Sequence, residues 1–368
     1  MTNVHVSDIV HASVNNTDIM NIHQFQKHLL DAVTGILSAA GFTFATPRAC
    51  EGADFEIEIG ADKIRLVVRC DINPRPSRIF SPPASFTIAG CVPVLGIPAS
   101  GERLRETLLK SGWSWVDLAG NCRIGIAGRL LIEKSGNTPV YKQPPGRLNL
   151  STPQSNHLIR ALLVPENAGR SWRQRELCAE CSPSVSMGLT NKVVRELREE
   201  GFLEAEGAAK VRDHEGLLAA WNAKYRFGRN RIIACFTLLK NEEVHARLAA
   251  LEREIQLVPR FAYASFSAAD FQAPYVRQPL IWLYAAEGDE EALMQRLDAK
   301  PVDSGENLRI LVPEDDGVFF KAQRSEGHLR GTNPLQTYVD LMHCGGRGEE
   351  AAEAILRQCL KPAWEQKK

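Results

Sequence analysis

"SPSVSMGLTNKVVRELREEGFLE", residues 182–204, follows the helical stretch "SWRQRELCAE" (171–180) and breaks it. Pro183 cannot continue a helix, and Ser184 or Ser186 offers a side-chain oxygen to cap the next one. On that next helix Thr190, Val193, Val194 and Leu197 share one side, while Met187, Gly188, Asn191, Lys192 and Arg195 share the other. Gly201 ends it. "FLEAEGAAKVRD" (202–213) then reads as a short hairpin whose tip, Gly207-Ala208-Ala209, is flanked by Lys210 and Arg212. Upstream, "NHLIRALLVP" (156–165) gives a first helix an apolar face of Leu158, Ile159, Leu162 and Leu163. Leu177, with Cys178 and Cys181, gives the second helix its own.

Two helices joined by a tight turn, the second with small, amide and cationic side chains on its free face, read as a helix-turn-helix. Asn and Arg can make paired hydrogen bonds to purine edges in the major groove, and a Gly lets the helix sit close. A hairpin bearing cations after that helix reads as the wing of a winged helix, placed to meet phosphates or the minor groove. The expected partner is double-stranded DNA at a promoter or operator. The expected contact residues are Arg173, Arg175, Ser184, Ser186, Met187, Gly188, Asn191, Lys192, Arg195, Lys210 and Arg212. Between Arg147 and Arg231 there are 14 Lys/Arg and 10 Asp/Glu, a local balance of +4. The bland alternative is a winged helix that makes protein contacts only.

Elsewhere charge gives no lead, because 44 Lys+Arg balance 44 Asp+Glu. Nine cysteines at irregular spacing read as reduced thiols, which places the chain in the cytoplasm. "CAEC" (178–181) resembles half a zinc site, but no second closely spaced Cys or His pair follows. It is read as two small core residues, and no metal, cofactor or catalytic residue is expected. The N-terminus has no basic region followed by an apolar run, so no signal peptide is expected, and residues 1–20 read as a flexible N-terminus. No stretch approaches the ~18 apolar residues of a membrane span.

Residues 21–146 open with an amphipathic helix over 22–40, with Phe25, Leu29, Leu30, Val33 and Leu37 on its stripe. Strands are expected at "DFEIEI" (54–59), "KIRLVVRC" (63–70) and "CVPVLGI" (91–97). A helix at "GERLRETLLKSG" (101–112) follows, and two or three short strands come after it. This helix–strands–helix–strands order resembles the restriction-endonuclease-like fold. That resemblance implies an Asp opening one strand and a Glu-x-Lys on the next, holding Mg²⁺ and activating water. Asp54 stands at the first position. The second reads Val68-Arg69-Cys70, or Val67-Val68-Arg69, with no second carboxylate and no Lys. Glu56 and Glu58 share Asp54's strand without completing the set. The domain is therefore expected to be catalytically degenerate. Asp117 and Asn121 in "GWSWVDLAGNCRI" (112–124) are expected to fix a turn through bonds to backbone.

The Pro/Gly-rich stretch 135–153 separates this part from the winged helix (153–227), and "YRFGRN" (225–230) separates that from a small α/β region (229–368). In the last region "RIIACFTL", "PLIWLYAA", "NLRILVP" and "GVFFKA" alternate with helices. It closes on "NPLQTYVDLMHCGGRGEEAAEAILRQCL" (333–360), with Leu335, Tyr338 and Leu341 on one helical face and Ala351, Ala354, Ile355 and Cys359 on the next. Asp340, Arg347, Glu349 and Glu350 are read as caps and solvated faces.

That closing stretch resembles the motif of the AbiE-type (type IV) toxin–antitoxin antitoxins, a Leu/Gln-Thr/Leu-Tyr-x-Asp-Leu helix followed by Gly-x-Arg-Gly-x-Glu-Ala-Ala. The resemblance implies a non-enzymatic, DNA-binding regulator that represses its own operon and counters a toxin encoded beside it. The chain departs from the short antitoxins of that family in placing a domain before the winged helix. Two other readings stay open, a DNA-processing nuclease with a divergent metal site and a mobile-element adaptor protein. The oligomeric state also stays open, a homodimer included.

Overall fold

The computed structural model describes residues 22–45, 55–59, 61–82, 91–126, 128–139, 150, 152–254, 260–324 and 329–366. The N-terminus expected to be flexible (1–20), Asp54, and residues 140–149 of the expected linker lie outside the described residues. The chain divides into two compact units, Met1–Arg147 and Leu148–Lys368.

The first unit starts with α1 (Ile22–Ala39) and runs through β1 (Phe44–Ala45), β2 (Phe55–Ile59), β3 (Asp62–Cys70) and β4 (Cys91–Ile97). It ends with α2 (Glu102–Lys110), β5 (Ser114–Asp117), β6 (Cys122–Ile126) and β7 (Leu130–Lys134). The seven strands lie in chain order. β1, β2 and β3 pair antiparallel, β3, β4 and β5 pair parallel, and β5, β6 and β7 pair antiparallel. Phe25, Leu29, Val33, Ile36 and Leu37 of α1 pack on Ile57, Leu66, Val68, Val92, Val94 and Val116. Each such burial stabilises by ~1.5–3 kcal/mol. Leu30, read into that stripe from the sequence, is exposed instead. α2 covers the other face with Leu104 and Leu108 against Leu95, Ile97 and Trp115. Helices on both faces explain the unbroken apolar runs of β3 and β4. Gly96 is needed for α1 to approach, since a Cβ there would stand 1.7 Å from Leu29 Cδ2.

The second unit begins with four helices, α3 (Pro153–Leu163), α4 (Gln174–Glu180), α5 (Met187–Glu199) and α6 (His214–Asn222). α6 had no counterpart in the sequence reading. β8 (Arg231–Phe236), α7 (Asn241–Leu251), β9 (Phe261–Tyr263), α8 (Ser265–Gln272), β10 (Ile281–Ala285) and α9 (Glu290–Arg296) follow. Then come β11 (Lys300–Pro301), β12 (Leu308–Val312), β13 (Gln323–Arg324), β14 (Arg330–Gly331), α10 (Pro334–His343), α11 (Gly348–Ile355) and α12 (Lys361–Gln366). The sheet order is β11-β8-β12-β10-β9-β14-β13. "GVFFKA", read with the strands, carries a 3-10 turn over Asp316–Phe319.

One sheet face packs Cys235, Ile310 and Leu283 against Val244 and Leu248 of α7 and Leu293 of α9. On the other, Trp282, Tyr284 and Leu311 join a core that runs from Leu158 on α3 through α8, α10 and α11 to Trp364 on α12. Trp364 Nε1 donates to the Leu163 carbonyl at 2.9 Å, fastening α12 to the end of α3.

Candidate nucleic-acid interface

α5 starts at Ser186, whose Oγ accepts from the Leu189 amide at 3.2 Å. Ser186 is therefore the N-cap, and the alternative, Ser184, sits exposed in the turn because Val185 between them is buried in the core. Thr190, Val193, Val194 and Leu197 are buried, as expected. Met187, Gly188, Asn191, Lys192 and Arg195 are all exposed, and so are Arg173 and Arg175 at the start of α4. Gly201, at φ +75°, closes the helix, with Phe202 N donating to the Leu197 carbonyl at 2.9 Å.

The chain after α5 doubles back. Leu203 bridges Val211 antiparallel, and Ala209 bridges Trp172. The second bridge carries both bonds, Trp172 N to Ala209 O at 2.9 Å and Ala209 N to Trp172 O at 2.8 Å. Ala209 is accordingly buried and belongs to the returning strand, not to the tip where the sequence reading placed it. The exposed turn is Glu204–Ala208, with Gly207 at φ +79°. Lys210 is half-buried and Arg212 exposed. The turn thus presents two carboxylates, Glu204 and Glu206, beside those cations.

The cations sort by position. Arg170 faces Glu180 at 3.9 Å, and buried Arg160 faces Asp315 at 3.7 Å. Among the described residues, Arg173, Arg175, Lys192, Arg195, Lys210 and Arg212 make no ion pair. This stretch therefore carries an exposed helix face with Asn and Arg one turn apart, and six cations that make no ion pair among the described residues. Such a surface suits a polyanion.

Two other constellations behave differently. Cys178 Sγ donates to the Val185 carbonyl at 2.7 Å and Cys181 Sγ to the Leu177 carbonyl at 3.2 Å. Burial and the neighbouring Cys178 push the Cys181 thiol up to about 12. These are packed thiols, and no cluster of three or more metal-ligand side chains occurs among the described residues. In the first unit Glu56 and Glu58 face Lys63 at 2.8 Å and 3.8 Å across the β2–β3 pair, while Val67 and Val68 are buried. Asp117 Oδ1 accepts from the amides of Ala119 and Asn121, so these residues do fix the turn as read.

Asp340 is the main correction. It was read as part of a solvated face, yet it is fully buried beneath the sheet. Its Oδ1 accepts from Gln336 Nε2 at 2.8 Å, Tyr284 Oη at 3.0 Å and Tyr225 Oη at 3.2 Å. Gln336 in turn accepts from Arg160 Nε of α3 at 2.9 Å. Burial pushes the Asp340 carboxyl up to about 7, although the three donors and Arg160 oppose it. Nearby, Asp315 bonds His157 at 2.7 Å. Burial alone would raise the Asp315 carboxyl, but His157 and Arg160 hold it below the usual range. Gly317 makes room for this group, since a Cβ there would stand 2.5 Å from Arg160 Nη1. The one sequence signal was an Asp at position 340 among Leu335, Val339 and Leu341. Arg347, Glu349 and Glu350 are exposed as read, with Arg347 paired to Glu350 at 2.6 Å.

Residues 210–361 match one family. Its description is transcriptional regulator, AbiEi antitoxin, type IV toxin–antitoxin system. The match runs from the returning strand of the hairpin to the first residue of α12. It takes in Lys210, Arg212, Asp340, Gln336, Tyr284 and Tyr225 and leaves α3 with Arg160, α4 and α5 outside. No curated protein and no solved structure matches the chain. No helix among the described residues is long and apolar enough to cross a membrane.

Proposed function

We propose that the chain is a DNA-binding transcriptional regulator, the autorepressing antitoxin of a type IV toxin–antitoxin system. The observation that carries this reading is the exposed face of α5, where Asn191 and Arg195 lie one turn apart among uncommitted cations. The order α3, Trp172 bridge, α4, α5, hairpin supports a winged helix, with α5 as recognition helix and residues 204–208 as wing tip. The family match over residues 210–361 supports the antitoxin role. A cognate toxin encoded in the same operon is the implied second partner, countered without an enzymatic step.

For the first unit we propose a degenerate restriction-endonuclease-like domain. The opening helix, the antiparallel β2–β3 pair and the parallel β3–β4–β5 run around α2 support it. The test is a gel shift comparing a duplex from upstream of the protein's own gene with a scrambled duplex, paired with a reporter driven by that upstream DNA. Equal binding to the two duplexes and an unrepressed reporter would refute autorepression.

A further inference from the structure

We infer that Arg198 is a positioning residue that holds the wing against the recognition helix, an inference that rests on the DNA-binding reading. Steps of four and three residues keep Asn191, Arg195 and Arg198 on one stripe of α5. By sequence, Arg198 therefore looks like a third DNA-reading cation. In the structure its guanidinium is turned away to another task, and Nη2 donates to the carbonyl of Gly207 at the wing tip. Arg198 is half-buried where Arg195 is exposed.

The rest of the wing shows why that bond matters. Its base is fixed by the Leu203–Val211 and Ala209–Trp172 bridges and by Glu204 N donating to Lys210 O at 2.9 Å. Beyond that bond, Ala205, Glu206, Gly207 and Ala208 are exposed. The hydrogen bond from Arg198 is the tie to the tip recorded among the described residues. It acts on the carbonyl of a residue at φ +79°, the point where the chain reverses. A short exposed turn without such a tie samples many conformations, and each contact it makes with DNA then costs ordering entropy. Arg198 removes that cost in advance. It also anchors the tip from which the chain runs back to Lys210 and Arg212. Its planar fork suits a carbonyl target better than a Lys ammonium would.

The experiment uses the full chain and the upstream duplex, with affinity read by fluorescence anisotropy across a salt series. The variants are Arg198→Ala, Arg198→Gln, Lys210→Ala with Arg212→Ala, and the combination of Arg198→Ala with that pair. Arg198→Gln keeps most of the packed stem if the Ala variant melts early. The expected result is that either Arg198 variant weakens binding about as much as the Lys210/Arg212 pair does. The combination should cost no more than the pair alone, because a positioning residue has nothing left to position. In the DNA-free protein, the backbone heteronuclear NOE of Gly207 and Ala208 should fall in the Arg198 variants. Losses that add, or an unchanged NOE, would overturn the inference and make Arg198 a direct contact or a bystander. Wild-type protein that binds no duplex would overturn the DNA-binding reading and this inference together.

Discussion

The hydroxyl of Tyr284 on β10 donates to Oδ1 of Asp340 on α10 across 3.0 Å, in a fully buried site. Burial lifts the Asp340 carboxyl from its ordinary value of 3.8 to about 7. The folded protein therefore keeps this proton over a range in which the unfolded chain has lost it. By linkage this group's contribution to stability is highest below about pH 4, falls as pH rises, and is at its most unfavourable above about pH 7. Asp340→Asn keeps an acceptor for Tyr284, Tyr225 and Gln336 but cannot ionise. Its melting temperature relative to wild type should rise between about pH 5 and about pH 8. Parallel melting curves for the two proteins across that range would show that Asp340 does not titrate there.

Asn191→Ala and Arg195→Ala test base reading. A good paired contact to a base edge is worth ~1–3 kcal/mol of discrimination, so each variant should lose about tenfold or more in binding to the protein's own upstream DNA. Binding to scrambled DNA should fall less for Asn191→Ala, which removes no charge. Both sites are exposed, so thermal melts should hardly move, within ~0.5 kcal/mol. Variants that melt normally and still prefer the upstream duplex to the wild-type extent would refute the recognition-helix assignment.

Charge at the wing gives opposite signs for opposite substitutions. Lys210→Ala with Arg212→Ala should weaken binding to all sequences alike and flatten the salt dependence by about one to two contacts. Glu204→Gln with Glu206→Gln should strengthen binding at low salt, because two exposed carboxylates beside phosphate are removed. A salt slope unchanged by both pairs would take the wing out of the interface.

Catalysis has its own test. The Glu-x-Lys position reads Val68-Arg69-Cys70, with no carboxylate and no Lys. No Mg²⁺- or Mn²⁺-dependent cleavage of plasmid or linear DNA is expected. Metal-dependent nicking that disappears with Asp54→Ala would overturn the degenerate reading.

What the sequence by itself determined was local. The alternation of Phe55, Ile57 and Ile59, the run Leu66-Val67-Val68 and the 3.6-residue spacing of Val193, Val194 and Leu197 each set a strand or helix and its buried face, because that periodicity is a property of the chain alone. The exposed side of α5 was legible for the same reason. Contacts between residues distant along the chain were not. Ala209 looks like a turn residue until its pairing with Trp172 draws it into a strand. Asp340 looks solvated until α3, the segment after α6 and β10 close over it with Arg160, Tyr225 and Tyr284, 180, 115 and 56 residues away along the chain by subtraction of their numbers. A carboxylate facing water and a protonated acid held by buried donors have the same local sequence. Only tertiary packing, which removes the water and supplies the donors, decides between them.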